Sequence, residues 1–361
     1  MNLKAMAMVS LTGLAVAAAA CGDLSDPPAA MTVRYASDGT LVVFAGSVID
    51  TYGPDLTQKK VHLSVQVVGP GPLFSASDDG RVAAVASSVP GGAVQLFDLS
   101  SGQETSMIPL GQSPGEPGIS SQGLTLSPTG DLLFVAAGLI GQGDMNAVGG
   151  TMFDTSTGAL LWSGNTFMWP PLFSLDESTL YAPGTDFAPG AGLQGRDSRT
   201  GTISLDVPLA DAVTLGGMAD SNTLIAAAES LDPVSYTIES TEIDLLSTAD
   251  GSVTGQVLLP KNTEFSGESF GLLPPFHCAP AVGLCVMGVV KTDPNTGLPI
   301  TSGVQVWSLD GTLVQSIDDG GDLAISPDGK YVAVVAAGDV TIYAVSDGSQ
   351  VKVLPYRTQI L

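Results

Sequence analysis

Between residues 31 and 355 one arrangement of residues recurs seven times, and nothing else in this chain restricts its fold as tightly. Each copy runs a hydrophobic strand into a tight turn of the Ser-Pro-Asp-Gly type, then a strand of small residues. An alternating strand, a second turn of the form Asp-x-x-Thr-Gly and a last apolar strand follow. The cleanest copy is DLAISPDGKYVAVVAAGDVTIYAVSDGSQVKVL at 322–354, and the most divergent is LLPPFHCAPAVGLCVMGVV at 272–290 with GVQVWSLDGTLVQSI at 303–317. The first turn position falls at Ala36, Ser77, Ser127, Ser174, Ala219, Ala279 and Ser326, with spacings of 41, 50, 47, 45, 60 and 47. Repeats of this length mark stacked units, none able to bury its own apolar surface.

The turn chemistry says what each unit is. Gly supplies positive φ, Pro presets φ, and Asp bonds its own backbone two residues on. Of the 36 acidic residues 28 are Asp and only 8 are Glu, which suits turns better than helix faces. Alternation in VTIYAV and VQLFDL is the period of a strand. Each copy therefore supplies four short strands, and radial stacking with closure leaves only short, protected edges. The expectation is an all-β chain: one domain over 31–355 made of seven four-stranded sheets in a ring, with 356–361 as a C-terminal tail. Runs such as Ala83-Ala84-Val85-Ala86 would let sheets approach closely near the hub.

These residues resemble the WD40-like and YVTN-type β-propellers of bacteria over about 31–355, most clearly in Ser326-Pro327-Asp328-Gly329-Lys330. The Trp-Asp and Gly-His signatures of true WD40 repeats are absent. Asp154-Thr155-Ser156-Thr157-Gly158-Ala159-Leu160-Leu161-Trp162 resembles the tryptophan-docking motif of quinoprotein-type propellers, in this blade alone. The resemblance implies binding through loops at one rim of the ring. Lactonases share the architecture, but none of their local motifs is found here.

The first 21 residues, MNLKAMAMVSLTGLAVAAAAC, place Lys4 before an apolar run of 16 residues that ends Ala-Ala-Ala-Cys. That run is short and Ala-rich for a membrane span. It resembles a bacterial lipoprotein signal, with Ala18 where Leu is usual; ordinary cleavage after Ala20 is the alternative. The resemblance implies a signal peptide at 1–20, lipidation at Cys21 and a tether to residue 30. With Gly22 rather than Asp after the cysteine, it implies the outer membrane, with a periplasmic or secreted protein as the other reading. Cys278 and Cys285 flank a turn-like Pro-Ala-Val-Gly and can face each other across a hairpin as a disulfide in an oxidising compartment.

With 12 Lys+Arg against 36 Asp+Glu, the net charge is −24, and no basic stripe exists to neutralise nucleic-acid phosphates. Gly111-Gln112-Ser113-Pro114-Gly115 and Gly267-Glu268-Ser269-Phe270-Gly271 match the serine-hydrolase pentapeptide but lack its strand-to-helix context. His62 and His277 are the only histidines, neither beside an acid pair or nucleophile in sequence. Asp318-Asp319-Gly320-Gly321-Asp322 and Asp293-Pro294-Asn295-Thr296-Gly297 offer oxygen ligands without a calcium-loop pattern and read as solvated turns. No cofactor or catalytic constellation is implied.

The longer insertions, Leu139–Gly150, Thr185–Gly192, Leu231–Glu239 and Thr292–Thr301, are the functional pointers, with Phe187 and Tyr236 as candidate rim contacts. Trp162, Trp169 and Trp307 read as packing residues. The expected function is a non-catalytic binding or scaffold module at the cell envelope. It would engage a protein, peptide or glycan, and touch the membrane only through its lipid. The alternative is a propeller enzyme, lactonase-like or quinoprotein-like.

Overall fold

The computed structural model describes residues 31–56, 59–65, 73–86, 92–110, 119–139, 148–165, 171–183, 192–209, 212–231, 238–259, 264–265, 276–292, 299–336 and 338–356. They form seven antiparallel sheets in chain order, and the only helical piece among them is a single 3-10 turn at Pro280–Val282.

Blade 1 comprises β1 Met31–Tyr35, β2 Leu41–Ala45, β3 Val48–Tyr52 and β4 Lys59–Ser64. Blade 2 comprises β5 Leu73–Ala76, β6 Val82–Ala86, β7 Ala93–Asp98 and β8 Gln103–Pro109. Blade 3 holds β9 Ile119–Leu126, β10 Leu132–Leu139, β11 Val148–Asp154 and β12 Leu160–Asn165. Blade 4 holds β13 Leu172–Phe173, β14 Thr179–Pro183, β15 Gly192–Asp197 and β16 Ile203–Pro208. Blade 5 runs through β17 Ala212–Asp220, β18 Thr223–Leu231, β19 Ile238–Ser247 and β20 Val253–Leu258. Blade 6 has β21 Glu264–Phe265, β22 Phe276–Ala279, β23 Leu284–Thr292, β24 Pro299–Ser308 and β25 Leu313–Ile317. Blade 7 has β26 Leu323–Ile325, β27 Tyr331–Ala336, β28 Asp339–Ala344 and β29 Gln350–Pro355. Blade 6 departs from the four-strand pattern because its inner edge is in two pieces: β21 and β22 both pair with β23.

First strands of neighbouring blades touch, as β5 with β9, β17 with β22 and β1 with β26, so they form the hub. Fourth strands face outward, as in the largely exposed β8 and β29. Between hub and rim the strand period divides the apolar residues between two neighbours. In β2, Leu41, Val43 and Ala45 pack toward blade 7, while Val42 and Phe44 pack toward blade 2. Seven apolar clusters result, each joining two adjacent blades. Seven sheets with seven interfaces make a closed ring; an open row would have six.

The seventh interface closes the ring. Among the described residues blades 1 and 7 are each built from their own consecutive strands, so no strand is exchanged, and every contact that joins them uses at least one side chain. Val33, Tyr52 and Leu56 meet Ala333, Ile342 and Tyr356 in one cluster. The amide of Val33 donates to Asp322 Oδ2 at 3.0 Å, and Arg34 pairs with the same carboxylate at 3.4 Å. Lys352 Nζ donates to the Leu56 carbonyl and lies 5.6 Å from the centre of the Tyr52 ring. Tyr356, assigned to the tail on sequence grounds, is 1% exposed and belongs to this joint.

Candidate functional site: the two faces of the ring

Because neighbouring strands alternate in direction, the turns after first and third strands share one face, and the connections after second and fourth strands share the other. On the first face each Ser-x-Asp-Gly turn is locked by its own side chains. Ser326 Oγ donates to Asp328 Oδ1 at 2.8 Å and accepts from the Tyr331 amide at 2.9 Å. Ser174 repeats this with Asp176 at 2.6 Å and Thr179 at 2.9 Å. Turns of successive blades also join: the Ser37 amide reaches the Asp78 carbonyl at 2.5 Å, and the Asp79 amide the Pro128 carbonyl at 3.0 Å.

The turns between third and fourth strands dock each blade onto the previous one. The left-handed residue of each turn receives a fourth-strand side chain: Leu63 at Gly102, Ile108 at Gly158, Trp162 at Gly201, Val207 at Gly251, Val257 at Gly311 and Gln315 at Gly348. At the closure, Lys352 meets Leu56, which holds φ 58° where the other blades use glycine. Trp162 is thus a blade-to-blade packing residue, as is Trp307, 3% exposed with Nε1 donating to Gln305 at 3.0 Å. Trp169 lies outside the described residues.

Aspartates open these turns in blades 2 to 4 and precede the left-handed glycine in blades 5 to 7. Asp98 Oδ1 accepts from the Ser100 hydroxyl at 2.6 Å and from the Ser100 and Ser101 amides at 2.7 and 3.1 Å, which holds its carboxyl below the usual range. Asp154, Asp197, Asp250, Asp310 and Asp347 are held down by similar hydrogen bonds. The face therefore carries fixed negative charge in blades 2 to 7. Three of its cations pair with acids there: Arg81 with Asp79 and Lys330 with Asp328 within their own turns, at 3.7 and 2.7 Å, and Arg199 with Asp154 of the preceding blade at 3.8 Å.

The opposite face carries the long connections. Second and third strands are joined by two residues in blades 1 and 7, by six in blades 2, 5 and 6, and by eight in blades 3 and 4. All four insertions singled out in the sequence join second to third strands, so they leave the ring on one face and from four consecutive blades. Phe187 and Tyr236, within two of them, lie outside the described residues, as do Cys21, both Gly-x-Ser-x-Gly pentapeptides and the Asp293–Gly297 segment.

The remaining candidates are structural. Cys278 and Cys285 sit opposite each other in the β22–β23 ladder, sulfurs bonded and Cα atoms 4.0 Å apart. His277, next along this inner strand, keeps some exposed surface but is surrounded by protein; desolvation and the Arg34 charge hold its pKa well below 6.5. Within Asp318–Asp322, Asp319 accepts from the Tyr343 hydroxyl at 2.9 Å, and Asp322 serves the ring closure. No group of three or more metal-ligating side chains occurs among the described residues.

The sequence reading missed one constellation. Asp50, 0% exposed, accepts from Tyr356 Oη at 2.9 Å and lies 2.6 Å from His62 Nδ1, with Tyr52 Oη 3.1 Å from Tyr356 Oη. Asp50 and His62 are register partners across the β3–β4 hairpin, the one signal that could have found the pair. Tyr356 reaches them from beyond the last strand of blade 7. Asp50 and His62 resemble a base with its orienting acid, and Tyr356, by its bonds to Asp50 and Tyr52, ties the end of blade 7 to blade 1.

The fold and these faces define a seven-bladed β-propeller. No family model matches the chain, and no curated protein does so either. Among solved structures the chain is similar to Kuenenia stuttgartiensis hydrazine synthase, with TM-score 0.62 and 18% identity over 90% of this chain and 98% of that one. It is also similar to the β-propeller domain of Myceliophteria thermophila Cps50 (Swd1), with TM-score 0.56 and 14% identity over 88% and 98%. A chain of the mitotic checkpoint complex gives TM-score 0.54 and 13% identity over 89% and 91%. At these identities the likeness is one of fold.

Proposed function

We propose that this protein is a non-catalytic binding module of the cell envelope, exported by its leader, anchored by a lipid on Cys21, and engaging a protein, peptide or glycan through the long-connection face. One observation carries the reading: the four long insertions leave a rigid ring on the same face, from adjacent blades. Binding loops held by a stiff scaffold are the usual way such a ring acquires a ligand. The outer membrane is the proposed address, and the YVTN-type bacterial propellers are the proposed relatives.

Two experiments test it. Labelling cells with an alkynyl fatty acid should mark the wild type and not Cys21→Ser; label on both, or on neither, refutes the anchor. Replacing 140–147, 184–191, 232–237 and 293–298 with two-residue turns should abolish cross-linked adducts in envelope preparations while leaving thermal unfolding unchanged. Adducts that survive the replacement refute the face. The enzyme reading has one support, the Trp162 docking contact, and a propeller that becomes coloured and oxidises alcohols after reconstitution with calcium and a quinone would favour it.

A further inference from the structure

On the short-turn face a cleft of about 130 Å³ opens between blades 7 and 1. Its walls are the rings of Tyr35, Tyr331, Pro54 and Pro327, and its rim carries Asp38 and Asp328. It is far smaller than the 300–1,000 Å³ or so of a cofactor pocket and fits the end of one side chain.

Three features give this cleft a chemistry. Across the joints between blades 1 and 2 and between blades 2 and 3, the corresponding turns are tied by an amide-to-carbonyl hydrogen bond, whereas between blades 7 and 1 the cleft occupies that place. The hydroxyl of Tyr35, in the cleft wall, is buried and has no hydrogen-bond partner among the described residues. Burial first, then the charges of Asp328 and Tyr331, which line the same cleft, keep the phenol protonated far above its ordinary range. A buried hydroxyl without a partner costs free energy, so a ligand that pairs with it gains what the empty site forgoes.

The charge sets the ligand's sign. Every blade contributes a carboxylate to this face, and the protein carries −24 overall. Asp38 and Asp328 are solvent-exposed carboxylates that accept from Thr40 and from Ser326 and Lys330 and have lone pairs beyond those bonds, and aromatic faces attract cations. Lys330 already places an ammonium on Asp328 at 2.7 Å, but that pair is largely exposed and yields readily to a competitor.

We propose that the short-turn face docks a basic segment of a partner, with one lysine or arginine side chain seated in the cleft between blades 7 and 1, its N–H groups donating to Tyr35 Oη, Asp38 and Asp328. This goes beyond the proposed function, since it concerns the face opposite the long connections and holds whatever those bind.

The test uses the full chain and three acetylated, amidated pentapeptides, Gly-Gly-X-Gly-Gly with X lysine, arginine or norleucine, titrated in 0.15 M salt by calorimetry or NMR. Lysine and arginine peptides should bind at least tenfold more tightly than norleucine. Asp38→Asn with Asp328→Asn should weaken them about tenfold, and Tyr35→Phe several-fold, with thermal unfolding checked for each. Asp250→Asn with Asp310→Asn, on the same face in blades 5 and 6, should change binding less than twofold. The proposal is overturned if norleucine binds equally, if none of the three binds, or if the remote pair weakens binding as much as the cleft pair; the last result would mean diffuse charge attraction only.

Discussion

The indole nitrogen of Trp162 in blade 3 donates a 2.8 Å hydrogen bond to the carbonyl of Ser198 in blade 4. The same ring covers Gly201, where a Cβ would lie 2.8 Å from it on a backbone of φ +71°. Trp162→Phe should keep most of the packing and lose the hydrogen bond, costing about 1 kcal/mol in urea unfolding. Gly201→Ala meets both a left-handed backbone and the indole, and should cost about 3 kcal/mol. Equal costs for the two would refute this account of the joint.

Leu56 poses the opposite case. It accepts φ 58° at a position that is glycine elsewhere, yet is 3% exposed within the closing cluster. Leu56→Gly relieves about 1 kcal/mol of strain but forfeits about 3 kcal/mol of burial, so a net loss of about 2 kcal/mol is expected. A more stable variant would show that its packing contributes little.

The turn chemistry was legible from sequence because it is local. Ser, Asp and Gly at fixed offsets announce a turn before any tertiary contact is known, most plainly at Ser77–Gly80 and Ser326–Gly329, and the other units follow from their spacing to these. Tyr356 was not legible, because its partners Asp50 and Tyr52 lie some three hundred positions earlier and meet it only once the ring has closed. Nor was the split inner edge of blade 6, since β21 is too short to announce itself. The cleft at Tyr35 escaped for a similar reason: it is formed by two turns belonging to opposite ends of the sequence.

Ring closure gives a third prediction. Tyr356→Phe should cost about 2 kcal/mol, because it removes a donor from a buried carboxylate. Its effect and that of His62→Ala should be non-additive in a double-mutant cycle, since both side chains engage Asp50. Additive costs would place the two in separate contacts.

His277 gives the pH dependence. Its folded pKa lies well below its unfolded value of about 6.5. Between those values the unfolded chain binds a proton that the folded chain refuses, so stability is full above about pH 6.5 and declines as pH falls toward the folded pKa. His277→Gln should flatten this part of the curve. The turn aspartates act lower: with depressed folded pKa values, their contribution is present above 3.8 and is lost as the acid range is entered.

The Cys278–Cys285 bond closes a loop of seven residues' separation at the hub. Replacing both with serine should lower stability by about 2 kcal/mol and leave peptide binding on the short-turn face unchanged. A change in that binding would connect the bond to the cleft.

Blades 7 and 1 abut without sharing a strand, so the wheel is shut as a clasp is shut, by two finished pieces pressed together. Between residues 31 and 356 the polypeptide runs through six of its joints and not through the seventh. Tension arriving along the backbone from either end reaches that one first. Among the joints, it alone can part without drawing any chain taut, and it is where the molecule should begin to come undone.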